Sequence, residues 1–157
     1  MSAGGAAPEA VVAVHPHGHG PAPKDVIVLA HHERRVRRRR LVAQHGDALM
    51  LDLPETRTLE HGDVLERADG LAVEVIAAEE RLVEVRARDG GHLLELAWHV
   101  GNRHLAAQVE RDRILVERDP VIERMLDGLG ARLAHVSEPF HPVRGAYHGH
   151  SHDHGHA

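Results

Sequence analysis

The C-terminal segment YHGHSHDHGHA, residues 147 to 157, carries a histidine at every second position: His148, His150, His152, His154 and His156. Alternate side chains of an extended segment project to one side, so these five rings can converge on a cation. Neutral imidazole is a borderline ligand suited to Ni(II), Zn(II) and Cu(II). Gly and Ser spacers favour fast, exchangeable binding, and affinity should fall as pH drops through roughly 6.5, where imidazole protonates. A solvated low-complexity tail or an engineered tag would share the composition. A tag is more often uninterrupted histidine, however, and the mixed spacing with Asp153 argues against one. A shorter version, HPHGHG, repeats the alternation near the other terminus with His15, His17 and His19. It reads either as an auxiliary metal site or as a polar leader.

Composition narrows the remaining chemistry. The 157 residues include 17 histidines and no cysteine, which removes disulfides, thiolate nucleophiles and thiolate metal sites. The net charge of −5 excludes a generally basic nucleic-acid binder. The run ERRVRRRR (Glu33 to Arg40) has no interleaved aromatic residues for base stacking. It reads as a strand or turn whose solvated basic face, Arg34 to Arg40, could dock an acidic protein partner, with no nucleic acid involved. No HExxH, GxSxG, P-loop or GxGxxG pattern occurs, so a binding protein fits better than an enzyme. The N-terminus lacks a basic region followed by a long apolar one, and no apolar run approaches the roughly 18 to 20 residues that span a bilayer. The expectation is a soluble, cytoplasmic protein with no membrane partner.

The elements that must position these groups fall into an α+β chain of two domains. Residues 1–24, rich in Gly, Ala, Pro and His, read as a disordered leader. Residues 25–78 read as a small N-terminal all-β domain, with strand candidates VIVLA, LVA, ALMLDLP and LAVEVIAA and turns at HGD and DG. A hinge is expected near residues 77–80. Residues 79–143 then follow the order β-α-β-β-α-β of a ferredoxin-like domain. RLVEVRA alternates as a strand. HLLELAWHV has Leu93, Leu96, Ala97 and Val100 at helical spacing, with Gly101 able to supply a left-handed cap. LAAQVERDRILVER holds two strand runs pivoting near Arg111 to Arg113. DPVIERMLDGLG has Asp119 as N-cap, Pro120 at the first helical position and Gly130 as stop. ARLAHV supplies the last strand, and a flexible His-rich tail occupies 144–157. With one Trp, one Tyr and one Phe, the core must be built from Leu, Val, Ile and Ala, and oligomerisation would help such a core.

Within this frame AWHVGNRH (Ala97 to His104) resembles the hallmark of UreE, a family of nickel metallochaperones in urease maturation. Three further stretches are similar to that family in the same order: ERRVRRRR after the first strand, DPVIERMLDGLG, and PFHPVRGAYHGHSHDHGHA. The resemblance covers nearly everything from Asp25 onward. It implies a homodimer whose N-terminal β domain engages partners and whose ferredoxin-like domain dimerises. It also implies that His104 from each chain contributes to one interfacial Ni(II) site, completed by tail histidines, with His99 as an accessory ligand. The same donors would also take Zn(II) or Cu(II) in vitro. Without the resemblance, His104 would read as a cap of the helix-to-strand turn and His99 as a dipole-stabilising residue near a helix C-terminus. The implied function is delivery of nickel, as cargo, to a urease accessory GTPase and the apo-urease assembly complex. General nickel or zinc storage through the tail is the alternative. The chain departs from some family members at VERDP (Val116 to Pro120), where they carry extra histidines. Any metal site built on those should be missing here.

Overall fold

The computed structural model describes residues 9–145, and the chain divides into two compact units between Ala78 and Glu79. The predicted tail ligands His148, His150, His152, His154 and His156 lie outside the described residues. No described helix is long and apolar enough to cross a membrane.

The N-terminal unit is a six-stranded sheet. Its elements are β1 (Glu9–His15), β2 (Asp25–Leu29), the single-turn helix α1 (His31–Arg34), β3 (Arg35–Val42), β4 (Ala48–Thr58), β5 (Val64–Arg67) and β6 (Ala72–Ala77). The strand order is β2-β6-β5-β1-β4-β3. Leu29, Val36, Leu41, Leu49, Leu51, Leu65, Val73 and Val75 form its buried core.

Strand β1 corrects the expectation of a disordered leader. Glu9–His15 pairs parallel with β4 and antiparallel with β5 in the middle of the sheet. Val11 and Val14 both pack on the core although they are three residues apart, an odd spacing that a regular strand would send to opposite faces. The register shifts between Val11 and Ala13, and that bulge restores the alignment while erasing the two-residue period from the sequence. The basic run behaves alike. Val36 and Leu41 are five apart and both buried, with a register shift between Val36 and Arg38 and Arg37 to Arg40 exposed between them. β3 is thus the expected strand with a solvated basic face from Arg37 to Arg40. Arg34, counted with that face, is instead buried in α1 and donates from Nη1 to Leu29 O at 3.0 Å. β3 lies at the edge of its sheet, where exposed charge discourages pairing with other chains.

The C-terminal unit comprises β7 (Glu79–Arg86), α2 (Gly90–Asn102), β8 (Ala107–Val109), β9 (Ile114–Glu117), α3 (Pro120–Gly128) and β10 (Arg132–Pro139). All neighbouring strands are antiparallel in the order β10-β7-β9-β8, the ferredoxin-like arrangement. Asp119 caps α3 as expected, accepting from the backbone N–H of Val121 and Ile122, and Gly130 adopts φ 85°. At α2, Asp89 accepts from the N–H of His92. The buried His92 ring accepts from the Arg88 N–H at Nδ1 (3.1 Å) and donates from Nε2 to Leu129 O (2.8 Å), tying the start of α2 to the end of α3.

Both helices cover one face of the sheet, where Val83, Val85, Leu93, Leu96, Val100, Ile114, Val116, Ile122 and Leu126 pack together. The other face holds Leu82 and Leu115, and the fully buried Phe140 closes over them. After β10 the chain therefore crosses that face, over β7 and β9. It then meets the far edge, where the His141 N–H donates to Gln108 Oε1 (2.9 Å) and the Val143 N–H donates to Ala107 O (2.8 Å).

Candidate metal centre

The end of α2 is held from both sides. Val100 and Leu96 anchor the last turns in the core, and Leu105 packs partly against the same cluster. Between these anchors the chain must leave the helix. The Arg103 N–H bonds Val100 O, and the His104 N–H bonds Gly101 O at 3.0 Å. The residue that turns the chain is His104, with φ 56°, and among the described residues it alone combines a side chain with a positive φ. Gly101, expected to supply the left-handed cap, is instead part of the helix. The left-handed conformation costs an L-residue about 1–2 kcal/mol, and glycine is the usual occupant after a helix C-terminus.

The exposed His104 ring has no hydrogen-bond partner among the described residues. It lies at the C-terminal end of a helix, where unpaired carbonyls concentrate partial negative charge and favour a cation. Within the described residues of the C-terminal unit, no three histidine or carboxylate donors lie at ligand spacing. A cation held by His104 therefore needs donors from outside that set.

His99 lies one turn earlier and half-buried, its ring edge-on to Trp98 with centroids 5.0 Å apart. It borders a shallow recess of about 330 Å³ with Leu94, Glu95 and Trp98. Leu94 and Trp98, four residues apart, are 73% and 63% exposed and stand on the side of α2 away from the core. Helix α2 is thus apolar on two sides, and one of them is bare. Helical spacing had signalled only the core side; the exposed Leu94 and Trp98 pair was legible in the sequence but lacked a frame that made it outward-facing.

The crossing segment was not foreseen. Its Val143 bond to Ala107 sets the start of the tail beside β8, three residues after His104. A charge network secures that edge. Arg113, near the start of β9, bonds Glu84 (2.9 Å), Glu110 (2.9 Å) and both oxygens of Glu138 (2.8 Å each). Glu110 also accepts from Gln108, whose other amide atom receives His141. The Arg86 guanidinium first, with Arg113, holds the Glu84 carboxyl below the usual carboxylate range, and Arg113 does the same for Glu138.

Matches to known proteins bear on this arrangement. Residues 10–78 match the N-terminal domain of the UreE urease accessory protein, and residues 80–157 match its C-terminal domain. The chain is 53% identical over 147 residues to the urease accessory protein UreE of Agrobacterium fabrum (strain C58), covering 91% of each chain. It is 58% identical over 122 residues to that of Mesorhizobium japonicum, covering 78% of this chain and 62% of the relative. Against the protein of Sinorhizobium fredii it is 54% identical over 131 residues, covering 83% and 82%.

Proposed function

The chain belongs to the UreE urease accessory protein family, and from that premise we propose that it is a non-catalytic nickel metallochaperone. It collects Ni(II) through its histidine tail, holds one ion at a dimeric site built on His104, and delivers it for assembly of the urease active site. The observation that carries this reading is His104 itself: an exposed, unpaired ring retained in a backbone conformation that glycine would adopt more cheaply.

The bare Leu94 and Trp98 side of α2 is the dimer face in this reading. A two-fold contact brings the same patch of each chain together, so His104 from both protomers can share one cation. The tail supplies further ligands. Five residues separate Val143 from His148, and three separate Ala107 from His104. At about 3.3–3.6 Å per residue, the chain from Val143 to His148 reaches roughly 17 Å. Against it stand at most ~11 Å from Ala107 to His104 plus the ~5 Å between the hydrogen-bonded Val143 and Ala107, so the first tail histidine just spans the gap. His99, beside Trp98, is an accessory ligand. Imidazole donors do not by themselves prefer nickel over copper, and Zn(II) or Cu(II) would bind in vitro, so selectivity comes from availability and from partners. Those partners are the urease accessory GTPase and the apo-urease assembly complex, met in the cytoplasm. The exposed arginines of β3 offer an acidic protein surface a docking edge.

Calorimetric nickel titration of the full-length protein and of a form lacking residues 148–157 tests the assignment. The truncated dimer should retain one nickel that disappears on His104→Ala. A storage protein acting through its tail would show no binding sensitive to His104, and that result would overturn the chaperone reading.

A further inference from the structure

The leader histidines are not absorbed by the His104 site, and they are part of the folded N-terminal unit. His15 ends β1 directly opposite Val64 of β5, and Val64 in turn faces Glu74 of β6. Paired residues share a face, so His15, Val64, Glu66 and Glu74 lie together on the side of the sheet away from the Leu65 and Val73 core. His15 Nε2 meets Glu66 Oε2 at 2.7 Å. Beyond it the chain makes a tight turn, closed by the His19 N–H donating to Pro16 O at 3.0 Å, with Gly18 at φ 79° as a type II turn requires.

Two glycines seat the histidine rings. A Cβ on Gly20 would overlap the His15 ring, and one on Gly62 would overlap the His17 ring. The His17 ring thus rests on the β5 side of the sheet with its Nδ1 4.0 Å from Glu74 Oε1. That separation is too long for a hydrogen bond. It is about half an ångström wider than the ~3.4 Å edge between two ligands of a tetrahedral first-row metal at ordinary bond lengths. His17, His19, Gly62, Val64 and Glu74 together line a cavity of about 350 Å³.

We propose that this turn and Glu74 form a second binding site for a borderline divalent cation, with His17, His19 and Glu74 as ligands. The His15–Glu66 contact and the two glycine seats hold the turn over the sheet. The three donor atoms are not yet at mutual ligand spacing. His19, exposed at the lip of the cavity, completes the set by rotating its ring inward. Two imidazoles and one carboxylate leave a position for water, the donor number of an exchangeable site and not of a closed structural one. This site is independent of the His104 reading: its three ligands belong to the other unit.

The test keeps the chain at full length and uses Ni(II) alone. In a background with the five tail histidines and His104 changed to Ala, equilibrium dialysis should still find one ion per chain. Paramagnetic broadening should fall first on the amide signals of Gly18, Gly62 and Glu74. Adding His17→Ala and His19→Ala should abolish both effects. Glu74→Gln should weaken binding by at least the roughly tenfold that even an outer-sphere partner costs, while the β1 amide shifts stay unchanged. No nickel bound in the background protein, or binding that survives the His17 and His19 changes, refutes the site.

Discussion

Replacing His104 with Gly separates what the residue does for the fold from what it does for a metal. At φ 56° the histidine backbone pays about 1–2 kcal/mol that glycine would not. Glycine's greater freedom in the unfolded chain takes back about 0.4–1 kcal/mol. The ring has no partner among the described residues, so its removal subtracts nothing from the metal-free fold. The balance is a gain of about 0–1.6 kcal/mol, centred near ~0.8, which for a unit of this size raises the melting temperature by about 3–6 °C at the centre. His104→Ala keeps the strained backbone and should stay within about 0.5 kcal/mol of the parent. Thermal unfolding of the three metal-free proteins at one fixed concentration, so that dimerisation does not shift the comparison, gives the ranking. Nickel calorimetry on the same samples should show the His104-dependent ion lost from both variants. If His104→Gly melts below His104→Ala, a side chain at φ 56° carries no backbone cost, and the case that function keeps histidine there fails.

Other consequences are open to equally direct measurement. Trp98→Glu puts a charge in the bare side of α2 and should weaken self-association about 30-fold or more, read by analytical ultracentrifugation, and should remove the His104-dependent nickel with it. Phe140→Ala empties the fully buried position on the helix-free face of the C-terminal sheet. It should cost about 3–5 kcal/mol in denaturant unfolding. The Arg113 network predicts a pH dependence. Because the folded-state values of Glu84 and Glu138 lie below their ordinary 4.5, their stabilisation is present above that value and drains away as pH falls through the lowered ones. Arg113→Met removes the guanidinium that holds Glu138 but leaves Arg86 on Glu84. Its stability should then fall less steeply than the parent's as pH drops below about 4.5, and matching slopes would contradict the assignment.

The sequence announced some of these features and concealed others for physical reasons. The α3 signals were local and each came from a residue with one job: Asp119 as cap, Pro120 at the first position, Gly130 to turn away. Strand β1 was concealed because its bulge sets Val11 and Val14 an odd distance apart, so the chain looked aperiodic where it was in fact folded. The left-handed turn after α2 was misplaced onto Gly101 because glycine is the cheaper occupant of such a position. The deviation from that rule falls on the residue the family resemblance had singled out. The crossing of the chain from β10 to β8 could not be read at all. It depends on Phe140 reaching Leu82 and Leu115, and on Val143 reaching Ala107, contacts more than twenty residues apart in sequence.

That crossing also bears on how a collecting tail and a holding site could be coupled. A ligand-bearing segment rooted far from its target would work at the low effective concentration of a long tether. One rooted a few residues from His104 works at the millimolar scale of short flexible links. The ferredoxin-like order leaves the end of β10 at the opposite edge of the sheet from β8, so without the strap the tail would start on the wrong side. Phe140 fixes the path across the sheet, while the His141 and Val143 backbone bonds fix where the path ends. Val143→Pro removes the last of these donors while leaving Phe140 in place. If the rooting of the tail matters, that single change should leave the unfolding free energy within about 1 kcal/mol of the parent but slow the transfer of nickel from tail to His104. Stopped-flow mixing of the metal-free dimer with Ni(II), compared with a tail-truncated control, would resolve that step. An unchanged transfer rate would mean that the tail finds His104 without help from its root.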